Sequence, residues 1–423
     1  MNRFLQIFKI RDLRNKVLIV VGLLVAFRLL AAIPIPGIDA ARLQEFFNTN
    51  QFFGFLNLFS GGGLSNLSVA MLGVGSYITA TIIMQLLTMI FPKFKELYYE
   101  QGARGQAKFN QYSRLLSVPL AALQSYGFLN LLISQGVIDR PDAFSMLRNV
   151  AVITAGSMLV LWFGELISEQ KIGNGVSLII LAGIVSSLPL QIAQAWLSYS
   201  ASNLPIYIGF FVVGALVIAG VVYLNEGERK VPITYARRVR GNKIYGGAAS
   251  YLPLKVNQAG MIPLIFAISV LLFPQFLAQV SSIISPGLGI RLNDLVSQFL
   301  NNQLLYGIVY FLLVFLFTYF YTAITFDPKE ISKNLQRSGG FIPGIRPGEG
   351  TSEFFAHTIR RLTLFGALFL GFIAVLPLIV QTLTGIAVLN ISGTALLIVV
   401  AVALETMRQI DSQLTVREYE GLQ

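Results

Sequence analysis

FSGGGLSNLSVAMLGVGSYITATIIMQLLTMIF, residues 59–91, decides how the rest of the chain is read. Its second half is apolar enough to sit in lipid. Its first half is not: Ser60, Gly61, Gly62, Gly63, Ser65, Asn66 and Ser68 are small or polar, and Gly73 and Gly75 interrupt the run further on. The whole stretch is too long for one crossing, because about 20 residues span the hydrocarbon core of a bilayer. Its front end is too polar to face lipid, where every backbone donor and acceptor must be paired internally. Two arrangements meet both facts. One is a helix broken at 73–75 with a short half inside a protein-lined cavity, a device of transport proteins. The other is an ordinary span preceded by a Gly/Ser loop. The stretch alone does not choose between them.

Composition widens this reading to the whole chain. At 423 residues the length would suit two or three soluble domains. Yet 55% of residues are hydrophobic and only 12% charged, against about 25% charged in soluble domains. Mean hydropathy is +0.68. These values define a polytopic, all-α membrane protein. The first 16 residues are basic and precede an apolar stretch, as in a signal peptide. No small-x-small cleavage site stands before Pro34 and Pro36, so the first span is expected to be retained. Cysteine is absent, which excludes disulfides and thiol chemistry.

Ten apolar segments follow one another, at 17–33, 74–91, 115–135, 147–167, 176–196, 205–224, 257–276, 304–325, 362–381 and 385–404. Each is about long enough to span. With ten spans both termini share a side. If that side is the inside, 26 of the 31 Lys and Arg fall in inside segments and four outside, with Arg28 inside a span. Such asymmetry fits the positive-inside rule and supports the span count. The segments divide evenly, five in 1–196 and five in 197–423. Five spans per half would make two structural repeats inverted in topology.

Two inside loops are large, at 225–256 and 326–361. The first contains ERKVPITYARRVRGNK, where β-branched residues and Tyr alternate with basic ones, and it is expected to form an extended, partly hairpin-like arm. The second contains FIPGIRPGEGT, a Pro/Gly-punctuated turn presenting Arg346. A few charges near span ends suffice for topology. The length of these loops points instead to docking of an anionic partner, such as RNA phosphate.

Chemistry inside the membrane needs ionisable groups at depth, and they are scarce. His357, in a loop, is the single histidine, so no His-based metal site, triad or proton relay is available. Glu165 and Asp327 lie at span ends. No Gly-Lys pair exists, so a Walker-type loop is absent, and GVGSYI and GNGVSL lack the third glycine of a dinucleotide turn. An enzyme is not expected, and neither a cofactor nor a metal is implied. Arg28 lies near a span end and reads as a snorkelling residue. Coupled carriers of small solutes use several intramembrane charges. Their scarcity favours a passive conduit over the alternative, a secondary transporter of a small solute. The polar front of 59–91 disfavours a third reading, a membrane scaffold. Uncharged polar residues do recur in spans: Thr79, Thr81, Gln85, Gln124, Asn257 and Gln258. They serve either helix–helix hydrogen bonding or a seam able to open.

Taken in order, IPIPG at Ile33, the FSGGG…LG segment, YITATIIMQLL at Tyr77 and IGNGVSLIILAGI at Ile172 resemble the SecY family. So do RKVPITYA, LPLKVNQAGMIP at Leu252, FIPGIRPGEGT at Phe341 and GTALLIVV at Gly393. Members of that family are the channel-forming subunits of the bacterial protein-translocation complex. The resemblance covers nearly the whole chain. It implies ten transmembrane helices in two inverted five-helix halves around a central hourglass pore, which passes unfolded secretory chains and releases signal or transmembrane segments sideways into lipid.

By motif position, the resemblance implies an aliphatic pore ring of Val74, Ile78, Val176, Ile180, Ile265 and Ile398. A narrow apolar ring blocks ions by dewetting. Val74 and Val176 depart from the family's commoner isoleucines and make the ring slightly looser. It implies a plug at 61–72: Gly61, Gly62, Gly63, Leu64, Ser65, Asn66, Leu67, Ser68, Val69, Ala70, Met71 and Leu72. It implies a lateral gate using Thr79, Gln124 and Asn257. Cytosolic docking falls to Arg237, Arg238, Arg240, Lys243 and Arg346, with Asn242 standing where many relatives carry a second basic residue. The implied partners are SecE-like and SecG-like small membrane subunits, a SecA-type translocating ATPase, the ribosome, signal sequences with nascent or unfolded secretory proteins, and membrane lipids. The implied location is the bacterial plasma membrane, with both termini cytoplasmic.

Overall fold

Apolar runs of this length bury their backbone polar groups by coiling, and the structure follows that logic almost everywhere. It is a computed structural model and describes residues 10–35, 63–64, 67–99, 101–134, 136–139, 141–197, 204–235, 238–240, 243–245, 249–284, 286–384 and 393–420. Two compact units divide the chain: Met1–Tyr199 with Leu272–Asn301 and Val402–Gln423, and Ser200–Leu271 with Asn302–Ala401.

The first unit holds α1 (Arg11–Ala32), α2 (Gly75–Ile90), α3 (Pro92–Tyr99), α4 (Gly102–Ser134), α5 (Ala143–Glu169) and α6 (Gly175–Leu197). The axis turns by 111° between α2 and α3. Pro92 causes this locally: the residue before a proline avoids helical dihedrals, and Phe91 sits at φ −111°, ψ 115°. The basic stretch ahead of the third apolar segment is itself helical, so α4 runs for 33 residues. Its Ala, Gln, Arg and Lys residues are good helix formers. α9 (Pro286–Asn301) also belongs to this unit.

α8 (Ile262–Ile284) and α13 (Gly393–Glu420) each divide between the units. α8 starts later than the apolar segment at 257 suggested. Gly260 adopts φ +63° just before it, a left-handed conformation that helix cannot continue through. Pro263 then sits in the first helical turn, where its missing N–H costs nothing.

The second unit holds α7 (Leu204–Glu226) and the strands β1 (Glu228–Tyr235), β2 (Arg238–Arg240), β3 (Lys243–Tyr245) and β4 (Ala249–Lys255). After them come α10 (Gln303–Thr325), α11 (Pro328–Arg337), β5 (Gly340–Phe341) and α12 (Glu349–Thr384). β1 pairs antiparallel with β4 from Glu228↔Lys255 to Thr234↔Ala249. β5 joins the other edge of β1 through Thr234↔Phe341 and Tyr235↔Gly340. The two large loops, read separately in the sequence, therefore share one three-stranded sheet, and one core of Val231, Leu254, Ile342, Phe355 and Ile359.

Among the described residues a helix overlaps each of the ten apolar segments. Arg11–Ala32, Ala143–Glu169, Gln303–Arg337 and Glu349–Leu376 are long and apolar enough to cross a membrane by themselves, and the bent pair α2–α3 makes a fifth. The count of ten spans stays an expectation of the sequence.

Candidate functional site

Where it is described, at 63–64 and 67–74, the polar front of the 59–91 stretch is neither a half-helix nor a simple Gly/Ser loop. Residues 67–74 run as successive tight turns, with the N–H groups of Met71, Gly73 and Gly75 donating to the carbonyls of Ser68, Ala70 and Leu72 at 2.9, 2.9 and 3.0 Å. Gly73 is left-handed at φ +52°, and α2 begins at Gly75. The turns are folded inward. Leu64, Leu67 and Met71 lie in a core cluster with Ile35, Phe128, Leu129, Leu132, Val137 and Ile153. Ser68 is 0% exposed, and its hydroxyl donates to the Gly63 carbonyl at 2.9 Å. Leu67, fully buried, holds φ +38°, a conformation that costs a non-glycine residue about 1–2 kcal/mol. Gly61, Gly62, Ser65 and Asn66 lie outside the described residues.

A two-bond β-bridge fastens these turns to the chain just after α1. Ile35 N–H donates to Leu67 O at 2.9 Å and Val69 N–H donates to Ile33 O at 3.0 Å, around the pair Pro34↔Ser68. The bonds fall on either side of Pro34, so its missing donor is not needed there. That gives the IPIPG motif a local reason.

Of the six expected ring residues, Val74 and Ile78 lie one turn apart at the start of α2, and both are buried. Val176 and Ile180 lie one turn apart on α6, with Ile180 buried and Val176 half-buried. Ile265 on α8 is half-buried, and Ile398 on α13 is buried; both belong to the second unit.

The GNG motif ahead of Val176 sets where α6 starts. The Asn174 side chain accepts from Ser177 N–H at 3.3 Å, in the manner of an N-cap. Ser168 Oγ donates to Gly164 O and accepts from Gly175 N–H, both at 2.9 Å. A Cβ on Gly175 would lie 1.8 Å from the Gly164 carbonyl oxygen, so only glycine fits.

The expected gate residues divide between the units. Thr79 donates back to Gly75 O at 3.0 Å, and Gln124 Nε2 reaches its hydroxyl at 3.5 Å, the long end of a hydrogen bond. Asn257, in the second unit, donates instead to Asn225 Oδ1 at 2.9 Å. Residues 225 and 257 flank the β1–β4 arm, so this pair clasps its base. Asn257 Oδ1 and the whole Gln258 amide are buried without a hydrogen-bond partner among the described residues.

Arg346 is exposed on a loop whose turns place Gly344 and Gly348 at φ +81° and +96°, a conformation that favours glycine. Thr351 Oγ1 donates to Arg346 O at 3.0 Å and Ser332 Oγ donates to Gly348 O at 2.6 Å. Arg238, Arg240 and Lys243 stand on β2 and β3, where the register sets Arg240 opposite Lys243. Arg237 and Asn242 lie outside the described residues.

Sequence reading missed three features. Glu165, noted only as a span-end acid, takes a forked ion pair from Arg114, with Nε–Oε1 at 2.8 Å and Nη1–Oε2 at 3.2 Å. Asn225 carried no signal at all. Gly156, within the apolar segment at 147–167, meets the backbone of Val69.

The long apolar helices, the buried polar turn of the first unit, and the basic strands and exposed Arg346 loop of the second are the features of a polytopic membrane protein. The SecY family profile matches residues 68–407. The protein translocase subunit SecY of Mycobacterium tuberculosis is 40% identical over 444 residues, covering 100% of this chain and 99% of that protein. That of Thermus thermophilus is 43% identical over 441 residues, covering 99% and 96%. The fold is similar to a solved protein-conducting channel, with a TM-score of 0.64 at 19% identity over 93% of this chain and 90% of that one. It is also similar to a SecY channel whose plug domain is described as stabilising the closed state and maintaining a membrane seal, with a TM-score of 0.61 at 20% identity over 92% and 90%. The chain belongs to the SecY family of protein translocase subunits.

Proposed function

We propose that this chain forms the passive pore through which unfolded secretory proteins cross a bacterial plasma membrane, and from which signal or transmembrane segments pass sideways into lipid. One observation carries the reading: the turn at 67–74 is buried ahead of α2, in a chain colinear over its whole length with protein translocase subunits. In this reading residues 61–72 are a plug held in the resting channel, and Val74, Ile78, Val176, Ile180, Ile265 and Ile398 are the apolar constriction. Thr79 and Gln124, already in contact, and Asn257 are the residues of the lateral gate in this reading.

Charge asymmetry supports both termini and both large loops on the cytoplasmic side. There the shared sheet and the Arg346 loop offer a rigid basic surface to a SecA-type ATPase and to the ribosome. A solved relative of the fold is a Sec61 channel in a canine ribosome–channel complex, with a TM-score of 0.61. SecE-like and SecG-like small subunits complete the assembly.

Deleting residues 61–72 tests the reading. Conductance of the resting channel in a planar bilayer is expected to rise, and an unchanged conductance would remove the plug from the mechanism.

A further inference from the structure

We propose that Gly156 on α5, together with residues 33–35 after α1, forms the seat that holds the plug closed. This rests on the plug reading above, and it assigns a positioning role to a residue outside the plug, ring and gate. A Cβ built on Gly156 would lie 2.0 Å from the Val69 carbonyl oxygen and 2.7 Å from Val69 Cγ1. The helix and the turn thus meet backbone to backbone, at a distance that no side chain permits. Val69 cannot slide away, because its own N–H donates to Ile33 O at 3.0 Å and the neighbouring Leu67 O accepts from Ile35 N–H at 2.9 Å. One turn earlier on α5, Ile153 packs into the cluster that buries Leu64, Leu67 and Met71. Beside Gly156, the Ser157 hydroxyl is buried without a hydrogen-bond partner among the described residues. A helix has no need of glycine at this position for its own sake, since alanine is the better helix former. The close approach supplies the need.

Among the described residues no ion pair touches this seat. Among the described residues, packing and the two backbone hydrogen bonds to residues 33–35 hold the turn in this seat, and neither residues 61–72 nor the seat carries a charged side chain, so a passing chain can displace the plug without neutralising a charge.

The chain lacks cysteine, so Ser68→Cys gives a single thiol at a site that is fully buried in the seated state. The full chain carrying Ser68→Cys is reconstituted into liposomes, with and without Gly156→Ala, and two rates are read: labelling by a soluble maleimide and ion leak. Gly156→Ala is expected to raise labelling at least tenfold and to raise the leak. Gly214→Ala, whose Cβ would meet nothing within 4 Å, is expected to change neither. Ile35→Pro, which deletes one bridge donor, provides a second route and is expected to act in the same direction. Faster labelling without leak would leave the seat standing and overturn the plug as the ion barrier. Unchanged labelling in both variants, while the 61–72 deletion still leaks, would overturn the seat and leave the plug intact. A Gly156→Ala protein that is more stable than its parent, with labelling unchanged, would likewise show that the glycine serves no seat.

Discussion

Glycines at helix contacts decide much of this structure residue by residue. Gly175 is the clearest case, because any side chain there meets the Gly164 carbonyl. Gly175→Ala is expected to lower the thermal midpoint, with an overpacking cost of about 1–3 kcal/mol, while Gly209→Ala, facing open space, leaves it unchanged. Equal midpoints in the two variants would mean that α6 can shift freely. Val176 and Ile180 ride on that helix, so its start also sets their height. At this scale Arg346 was legible from the sequence, since a charge among prolines and glycines reads as presented. Gly156, Gly164 and Asn225 were not legible. Gly156 and Asn225 are explained by partners distant in sequence, Val69 and Asn257, and Gly164 by Gly175 across the turn into α6; nothing adjacent to them encodes that partner.

Elements show the same division. The alternation in ERKVPITY made β1 readable, and β1 does pair with β4. β5 escaped notice because two residues carry no period, and its partner lies across α8 and α10 in the chain. Only the shared core explains it: Ile342, Phe355 and Ile359 from the second loop bury Val231 and Leu254 of the first. Removing Phe355 therefore tests the joint. Phe355→Ala is expected to cost about 3–5 kcal/mol of local stability and to speed amide hydrogen exchange across β1 as well as α12. Faster exchange confined to α12 would mean that the two loops are independent. The polar turn at 67–74 shows why periodicity failed to choose between broken helix and loop. Its turns close on i→i+3 bonds and bury themselves among residues of α4 and α5, a tertiary solution invisible to any local pattern.

For the molecule as a whole, composition and charge asymmetry were the strongest signals, because the bilayer imposes them on every span at once. Orientation can be checked directly. With Arg346→Cys as the single thiol, an impermeant maleimide added outside intact cells is expected to leave the chain unlabelled until the membrane is opened. Labelling from outside would reverse the assigned orientation. In the proposed plug reading, Leu67 bears on the balance between resting and open populations. Its left-handed backbone, at φ +38°, raises the closed state by about 1–2 kcal/mol. In that reading, exposing Leu64, Leu67 and Met71 to water costs about 1.5–3 kcal/mol each and favours the seated state. Relief of the strained residue on opening offsets part of this gap, and about 1.4 kcal/mol is tenfold in an equilibrium constant. A signal sequence then has only the remainder to supply through its preference for the open form. On the proposed plug mechanism, the closed channel is thus set nearer its switching threshold than its packing alone would place it.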